Sequence, residues 1–347
     1  MNVLRYILYP FSLLYGNLVR LHRAFYQYGN KKAKSFDIPV INVGNLSVGG
    51  TGKSPHVAYF TQMLQPILTP GIVSRGYHRQ TTGVRLVETN SLASEVGDEP
   101  LQLKQRFPNN TVVVAERRVL GVEAALKENK AIDCILLDDA FQHWAIQPSL
   151  QIMLTTFEQP FFRDWVLPMG RLREFRSGYQ RADIIIITKC PTIISQAQKV
   201  AFLQAIKPLP SQRVFFSYFK YQALYQLFDK QQLVELDQLK NQKITLVTAI
   251  ANTHYLEEYI TSYASEVQAL KFPDHHHYTL KDLEKIKKIS SSQLIITTEK
   301  DATKLKPYQA YLAQENLLIY VLPIEVQIAF NEENLLRETL LNHLNRD

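Results

Sequence analysis

Residues 42–56 read NVGNLSVGGTGKSPH, and the reading of this stretch decides the fold. The phosphate-loop pattern is G-x-x-x-x-G-K-[ST]. Gly52, Lys53 and Ser54 match it, while Ser47 stands where the first glycine is usual. The flanks supply the context that the pattern needs. IPVINVG (38–44) is an apolar run of strand length, and Val57, Phe60 and Leu64 then share one face of a helical pattern. Pro55 falls in the first helical turn, where its missing N–H costs little. A strand, a glycine-rich turn and a helix start together aim backbone N–H groups and a positive helix end at an anion. On this reading Ser47, Val48, Gly49, Gly50, Thr51 and Gly52 surround phosphates. Lys53 reaches the terminal phosphates, and Ser54 offers its hydroxyl to Mg²⁺.

Outward from the loop, short apolar runs alternate with helical patterns. GIVS (71–74), TVVVA (111–115), AIDCILLDD (131–139), LQIMLT (150–155) and DIIIITK (183–189) read as strands, with helices over 99–107 and 118–129. Continuous rather than alternating apolar strands imply burial on both faces. The expected fold is therefore α/β, P-loop NTPase-like, with a mostly parallel sheet covered by helices. Beyond about residue 210 the texture changes. RVFFSYFKYQALYQLF (213–228) reads as a hairpin linking two lobes. KITLVTAI (243–250), HYLEEYITSYA (254–264), QLIITTE (293–299) and LLIYVLP (317–323) build a smaller α/β lobe. The expected division is 1–30 as an apolar, basic helix, 31–210 as the phosphate-loop core and 211–347 as the smaller C-terminal domain.

Net charge is +7 over 347 residues, and most of it is local. Residues 1–40 hold Arg5, Arg20, Arg23, Lys31, Lys32 and Lys34 against Asp37, six minus one, or +5. The rest of the chain is nearly balanced, which argues against a nucleic-acid groove and for a local basic anchor. The uncharged run from Tyr6 to Val19 is shorter than the ~20 residues of a membrane-spanning helix, and Pro10 and Gly16 interrupt it. Aromatics, leucines and flanking arginines suit the headgroup boundary of a membrane; the alternative is a helix packed on the core. Cys134 and Cys190, far apart, support neither a disulfide framework nor a zinc site.

Other stretches carry chemistry. CILLDDAFQH (134–143) ends an apolar strand in Asp138 and Asp139, a Walker B-like arrangement for Mg²⁺. Adjacent strand residues face opposite sides, so the two acids need not share one job. In DIIIITKCP (183–191), Thr188 and Lys189 fit the guanine-reading [NT]KxD pattern, but Pro191 replaces its Asp. This favours ATP over GTP. EVGDEPLQL (95–103) by spacing alone makes Asp98 a helix cap with Pro100 in the first turn. FPDHHHYTL (272–280) reads as a solvated loop rather than a metal site, because consecutive histidines rarely converge on one ion. In LPMGRLREF (167–175), Arg171 and Arg173 serve either transferred phosphate charge or a surface ion pair. Arg75 of SRGYHR (74–79) follows a strand at the sheet edge where parallel sheets bind ligands.

GNLSVGGTGKSP, SRGY, GDEP, LLDDAFQH, LPMGRLRE, FPDHHHY and TTEKDATKL occur in this order across nearly the whole chain. The set resembles the tetraacyldisaccharide 4'-kinase family, in which Ser or Thr is common at the position of Ser47. The resemblance implies ATP and Mg²⁺, a lipid disaccharide 1-phosphate as acceptor, and a peripheral protein at the cytoplasmic face of the bacterial inner membrane, with no obligate protein partner. It implies Asp98 as catalytic base with His275 as its partner. It also implies Lys53, Asp138, Asp139 and Gln142 around the metal and phosphates, Glu99 and Glu174 assisting the metal, and Arg118 and Arg171 serving phosphate charge. AERRV leaves Arg117 or Arg118 open. Ala140 and Phe175 depart from the family's usual Gly and Pro. The alternative is a regulatory ATPase or GTPase switch that binds a protein partner.

Overall fold

A computed structural model describes residues 3–29, 32–290 and 294–344. Lys31, Gln293 and the side chain of Arg5 fall outside that description. The strands are β1 (Val40–Asn45), β2 (Pro70–Ser74), β3 (Arg85–Leu86), β4 (Val112–Val114), β5 (Cys134–Asp138), β6 (Leu150–Thr156), β7 (Ile184–Thr188), β8 (Arg213–Tyr221), β9 (Leu224–Gln226), β10 (Asp229–Val234), β11 (Lys243–Thr248), β12 (Glu266–Lys271), β13 (Leu294–Thr298), β14 (Ile319–Leu322) and β15 (Ile324–Ile328). Helices α1 (Val3–Gln27), α2 (Lys53–Leu64), α3 (Ala93–Val96), α4 (Asp98–Arg106) and α5 (Arg118–Glu128) belong to the larger lobe.

Among the described residues nine strands form one sheet, in the order β15-β8-β7-β6-β1-β5-β2-β4-β3. The seven from β8 to β4 run parallel, and β15 and β3 close the two edges antiparallel. Every residue of β1, β2, β5 and β7 is buried, as continuous β-branched and leucine runs require when helices cover both faces. β1 lies between β5 and β6, so the chain diverges to opposite sides at its carboxyl end. In open α/β sheets that divergence leaves the crevice where ligands bind. The second sheet has six strands, β10-β9-β14-β13-β11-β12.

The sheets divide differently from the expected boundary at 210/211. β8 pairs with β7, and β15 returns to pair with β8, so both belong to the large sheet. Val326, Leu336 and Leu340 share a core cluster with Ile41 and Ile72 of that sheet. The chain thus crosses to the smaller lobe after Tyr221 and returns at Ile324, with Gln222 N–H donating to the Pro323 carbonyl at 3.1 Å between the two crossings. The expected hairpin over 213–228 is likewise shifted. β9 and β10 form it, at 224–234, because the aromatic residues of β8 pack into the large sheet.

α1 docks on the larger lobe by one face. Ser12 is buried, and its hydroxyl accepts from Met169 N–H at 2.9 Å. Gly16 lies so close to Phe175 that a Cβ there would meet the ring at 2.4 Å. The outward face carries Ile7, Phe11, Leu14, Leu18, Leu21 and Phe25, each 55–60% exposed. Their 4-3-4-3-4 spacing makes one continuous apolar stripe. Among the described residues no helix is long and apolar enough to cross a membrane.

Candidate active site

The loop between β1 and α2 forms the floor of a cleft of about 1580 Å³ between the lobes. Gly52 precedes α2 with φ 87°, a left-handed conformation that favours glycine. Neighbours fix the loop. Asn45 Nδ2 donates to Thr51 Oγ1 and Thr188 Oγ1 donates to the Thr51 carbonyl, both at 2.8 Å. Val48 N–H donates to the Arg171 carbonyl at 2.8 Å, and Arg173 N–H to the Leu46 carbonyl at 2.7 Å. His56 is fully buried, and burial lowers its imidazole to about 4, so it is neutral at ordinary pH. Its Nδ1 donates to the Gly52 carbonyl at 2.7 Å, which leaves Nε2 to accept from Ser217 Oγ at 2.9 Å.

The strand-end acids meet different partners, as alternation along a strand requires. Asp138 is buried; Ser74 Oγ donates to its Oδ2 at 3.0 Å, and among the described residues its buried Oδ1 has no hydrogen-bond partner. Burial, then the charges of Glu99 and Asp139, push its carboxyl up to about 7. A buried carboxylate oxygen with no donor, in the same cleft as Ser54, fits a divalent cation. Asp139 faces the cations instead. Arg173 donates to both its oxygens at 2.9 and 3.1 Å, and Lys53 Nζ lies 3.6 Å away. Burial alone would raise Asp139, but Lys53 and Arg173 outweigh it and hold the carboxyl below its ordinary range.

Arg118 is buried behind this pair, donating to the Ala115 carbonyl at 2.9 Å and to the Asp138 and Asp139 carbonyls at 3.3 Å. Arg117 is exposed, so of the two arginines Arg118 is the one in the cleft wall. Burial lowers its guanidinium to about 10 despite the nearby acids. Gln142 Nε2 donates to the Asn45 carbonyl at 2.9 Å and to Glu174 Oε1 at 2.8 Å.

The opposite wall comes from the smaller lobe. His275 Nδ1 donates to Asp98 Oδ2 at 2.9 Å, across the cleft from one lobe to the other. Asp98, 5% exposed, is the first residue of α4 rather than its cap; its Oδ1 accepts from the Glu99 N–H at 2.9 Å while its Oδ2 meets His275. Lys300 Nζ lies 3.6 Å from Asp98, 3.7 Å from Glu99 and 3.1 Å from Asp274. Burial alone would raise Asp98; the His275 hydrogen bond and the charges of Lys300, His275 and Lys304 outweigh it and hold the carboxyl at about 2. The histidines of this loop diverge. His276 pairs with Asp282 at 3.0 Å, not with His275.

Val48 to Ser54, Asp98, Glu99, Arg118, Asp138, Asp139, Gln142 and His275 all line this one cleft. Ser47 lies beneath it, bridged to Leu172. Two expected residues are elsewhere. Arg171 is held by Asp164 at 2.9 Å and by Gln159, outside the cleft lining. Both oxygens of Glu174 accept from Arg181, at 2.6 and 2.8 Å, and Glu174 is outside the cleft lining. Arg173 occupies the place expected of Arg171. Nothing in GRLRE separates the two, because alternation puts both on the same side. Lys300 was missed although it carries a signal. A cation in the first turn of the helix Glu299–Leu305 opposes the helix dipole, so it needs an anionic partner.

The profile of the family described as LpxK: Tetraacyldisaccharide-1-P 4'-kinase matches residues 4–345. The tetraacyldisaccharide 4'-kinase of Bacteroides thetaiotaomicron is 37% identical, over 97% of this chain and 92% of its own. That of Flavobacterium johnsoniae is 38% identical over 96% of both. Among solved structures, LpxK from Aquifex aeolicus in complex with ATP aligns with a TM-score of 0.76 and 27% identity, covering 99% of this chain and all of that one. A match over almost every residue, together with a phosphate loop facing an acid–histidine pair, establishes that the chain belongs to the tetraacyldisaccharide-1-phosphate 4'-kinase family.

Proposed function

We propose that this chain transfers the γ-phosphoryl group of ATP to the 4'-hydroxyl of a tetraacyldisaccharide 1-phosphate, a step of lipid A synthesis. The observation that carries the reading is the Asp98–His275 hydrogen bond of 2.9 Å in the same cleft as Lys53. It supports a proton acceptor on the wall opposite the phosphate loop. Family membership and the missing base-reading acid at Pro191 count against the regulatory-switch alternative.

Phosphoryl transfer asks the protein mainly for position and charge neutralisation. The loop from Ser47 to Ser54 holds the triphosphate by its backbone N–H groups, and Lys53 and Arg173 meet the charge on the transferred group. Ser54 and Asp138, with Glu99 nearby, would hold Mg²⁺, which neutralises charge on the β- and γ-phosphates when bound. Arg118 fixes the backbone of Asp138 and Asp139, and Gln142 ties the loop strand to the segment of Glu174. Asp98 takes the proton of the sugar hydroxyl, oriented by His275. The His275 hydrogen bond and the charges of Lys300 and Lys304 keep Asp98 ionised; the negative charge of entering phosphates raises it toward the range where it can hold a proton. The dyad and the Lys300 contacts span both lobes, so closure of 222–323 on the rest completes the site and excludes water.

The stripe on α1 is the membrane-facing element. It lies at the interface, keeping the acyl chains in the bilayer while the sugar head enters the cleft at the cytoplasmic face. The test is an assay with ATP, Mg²⁺ and a tetraacyldisaccharide 1-phosphate, with the lipid products resolved. Phosphate must appear on the 4'-oxygen, and Lys53→Ala must suppress it in a folded protein. Lipid-independent ATP hydrolysis as the sole activity would return the regulatory switch to first place.

A further inference from the structure

α1 separates two hollows. Tyr15 and His22 on one flank line the catalytic cleft, and Val19 and Trp144 border both hollows. Gly16, Arg20 and Ala24 on the other flank, with Arg23, line a groove of about 490 Å³ closed by Trp144, Phe175 and Arg181. Its volume falls in the ~300–1,000 Å³ range of small-ligand sites. Its charge is uneven. Both oxygens of Glu174, the one acid in the lining, are taken by Arg181. Among the described residues, Arg20 and Arg23 make no ion pair with a carboxylate. The Arg23 guanidinium lies 5.2 Å over the Trp144 ring, and Arg181 lies 4.6 Å from the same ring. The Trp144 ring holds the Arg23 guanidinium by a cation–π contact, and a guanidinium with no carboxylate partner among the described residues keeps N–H donors for an anion.

We propose that this groove binds the phosphate of an anionic glycerophospholipid of the surrounding membrane, a lipid that is not the reaction's substrate. The proposal rests on the interfacial reading of α1. Charge complementarity carries it: Arg20 and Arg23 present two cations to one phosphodiester. The exposed side chains of Leu21 and Phe25 continue from the groove along the outward stripe, where acyl chains lie. The disaccharide substrate enters on the other flank of α1, so the helix stands between the two lipids.

The test uses the full chain carrying Trp165→Phe, which leaves Trp144 as the sole tryptophan. Dihexanoyl phosphatidylglycerol, kept below its micellar concentration, should change Trp144 emission saturably. Dihexanoyl phosphatidylcholine should not. Arg20→Gln/Arg23→Gln should weaken the titration by about tenfold or more, since each interfacial cation contributes ~1 kcal/mol. Lys32→Gln/Lys34→Gln removes equal charge outside the groove and should leave the titration in place. Equal weakening by both pairs would reduce the effect to diffuse charge and overturn the site. A raised acceptor KM for Arg20→Gln/Arg23→Gln in neutral-detergent micelles, matching the lost titration, would give the groove to the substrate and overturn it as well. Flotation on neutral phosphatidylcholine vesicles, with Leu14→Asp/Leu18→Asp as the negative control, reads the interfacial role separately. If that binding is absent while the soluble lipid titrates, the membrane reading fails and the anion site stands.

Discussion

Asp98→Asn separates a helix-end acid from a catalytic base. Asn preserves shape and can still accept from the Glu99 N–H, which donates to Asp98 Oδ1 at 2.9 Å. What it removes is the charge that faces His275 at 2.9 Å, Lys300 at 3.6 Å and Lys304 at 3.9 Å. A carboxyl lowered from an ordinary 3.8 to about 2 stabilises the closed fold by about 2 kcal/mol. Asp98 is 5% exposed, so solvent screens little of it. Because the folded value is depressed, this stability is present above about pH 4 and lost as pH falls toward 2. Asp98→Asn should lower the stability at neutral pH by up to that amount in urea titrations and flatten its loss over that acid window. As the base, it should also lower kcat by roughly 10²–10⁴-fold. An acid acting only on the helix dipole is worth ~0.3–1 kcal/mol and would leave kcat alone. The assay follows labelled phosphate into the resolved lipid product. His275→Ala should cost less than Asp98→Asn, and adding it to Asp98→Asn should cost little more. Near-normal kcat in a folded Asp98→Asn protein, or full additivity of the two changes, would refute the dyad.

Arg173→Ala should lower kcat by roughly 10²-fold, while Arg171→Ala, an ion pair at the rim, should change it by no more than about fivefold; steady-state kinetics of both decide which arginine meets phosphate charge. Asp138→Asn should abolish transfer yet raise the melting temperature of the metal-free protein at alkaline pH. The raised carboxyl of Asp138 costs stability as pH climbs from about 4 through about 7, and the pH dependence of Tm should lose that descent. Lys300→Met keeps the stem and removes the charge, so it should lower kcat and move the acid limb of its pH profile upward, with Lys300→Arg restoring part of both; an unmoved limb in the folded Met variant would deny Lys300 a role at Asp98.

The sequence by itself determined the phosphate loop, the parallel core and the split between Asp138 and Asp139. These are local consequences. Loop, strand and helix start are contiguous in 38–64, continuous apolar runs demand two covered faces, and strand alternation separates neighbouring acids. Order and wording of the motifs also carried the family. What only the tertiary structure decided are the contacts between distant segments. Residues 98 and 275 stand 177 apart in the chain, and spacing alone made Asp98 a helix cap until the smaller lobe brought His275 to its carboxylate. Arg173 displaced Arg171, and Arg181 claimed Glu174, because each choice depends on which segment packs opposite rather than on local pattern. The lobe boundary moved for the same reason: a strand joins whichever sheet completes its hydrogen bonds and buries its side chains, and β8 and β15 find both in the larger one.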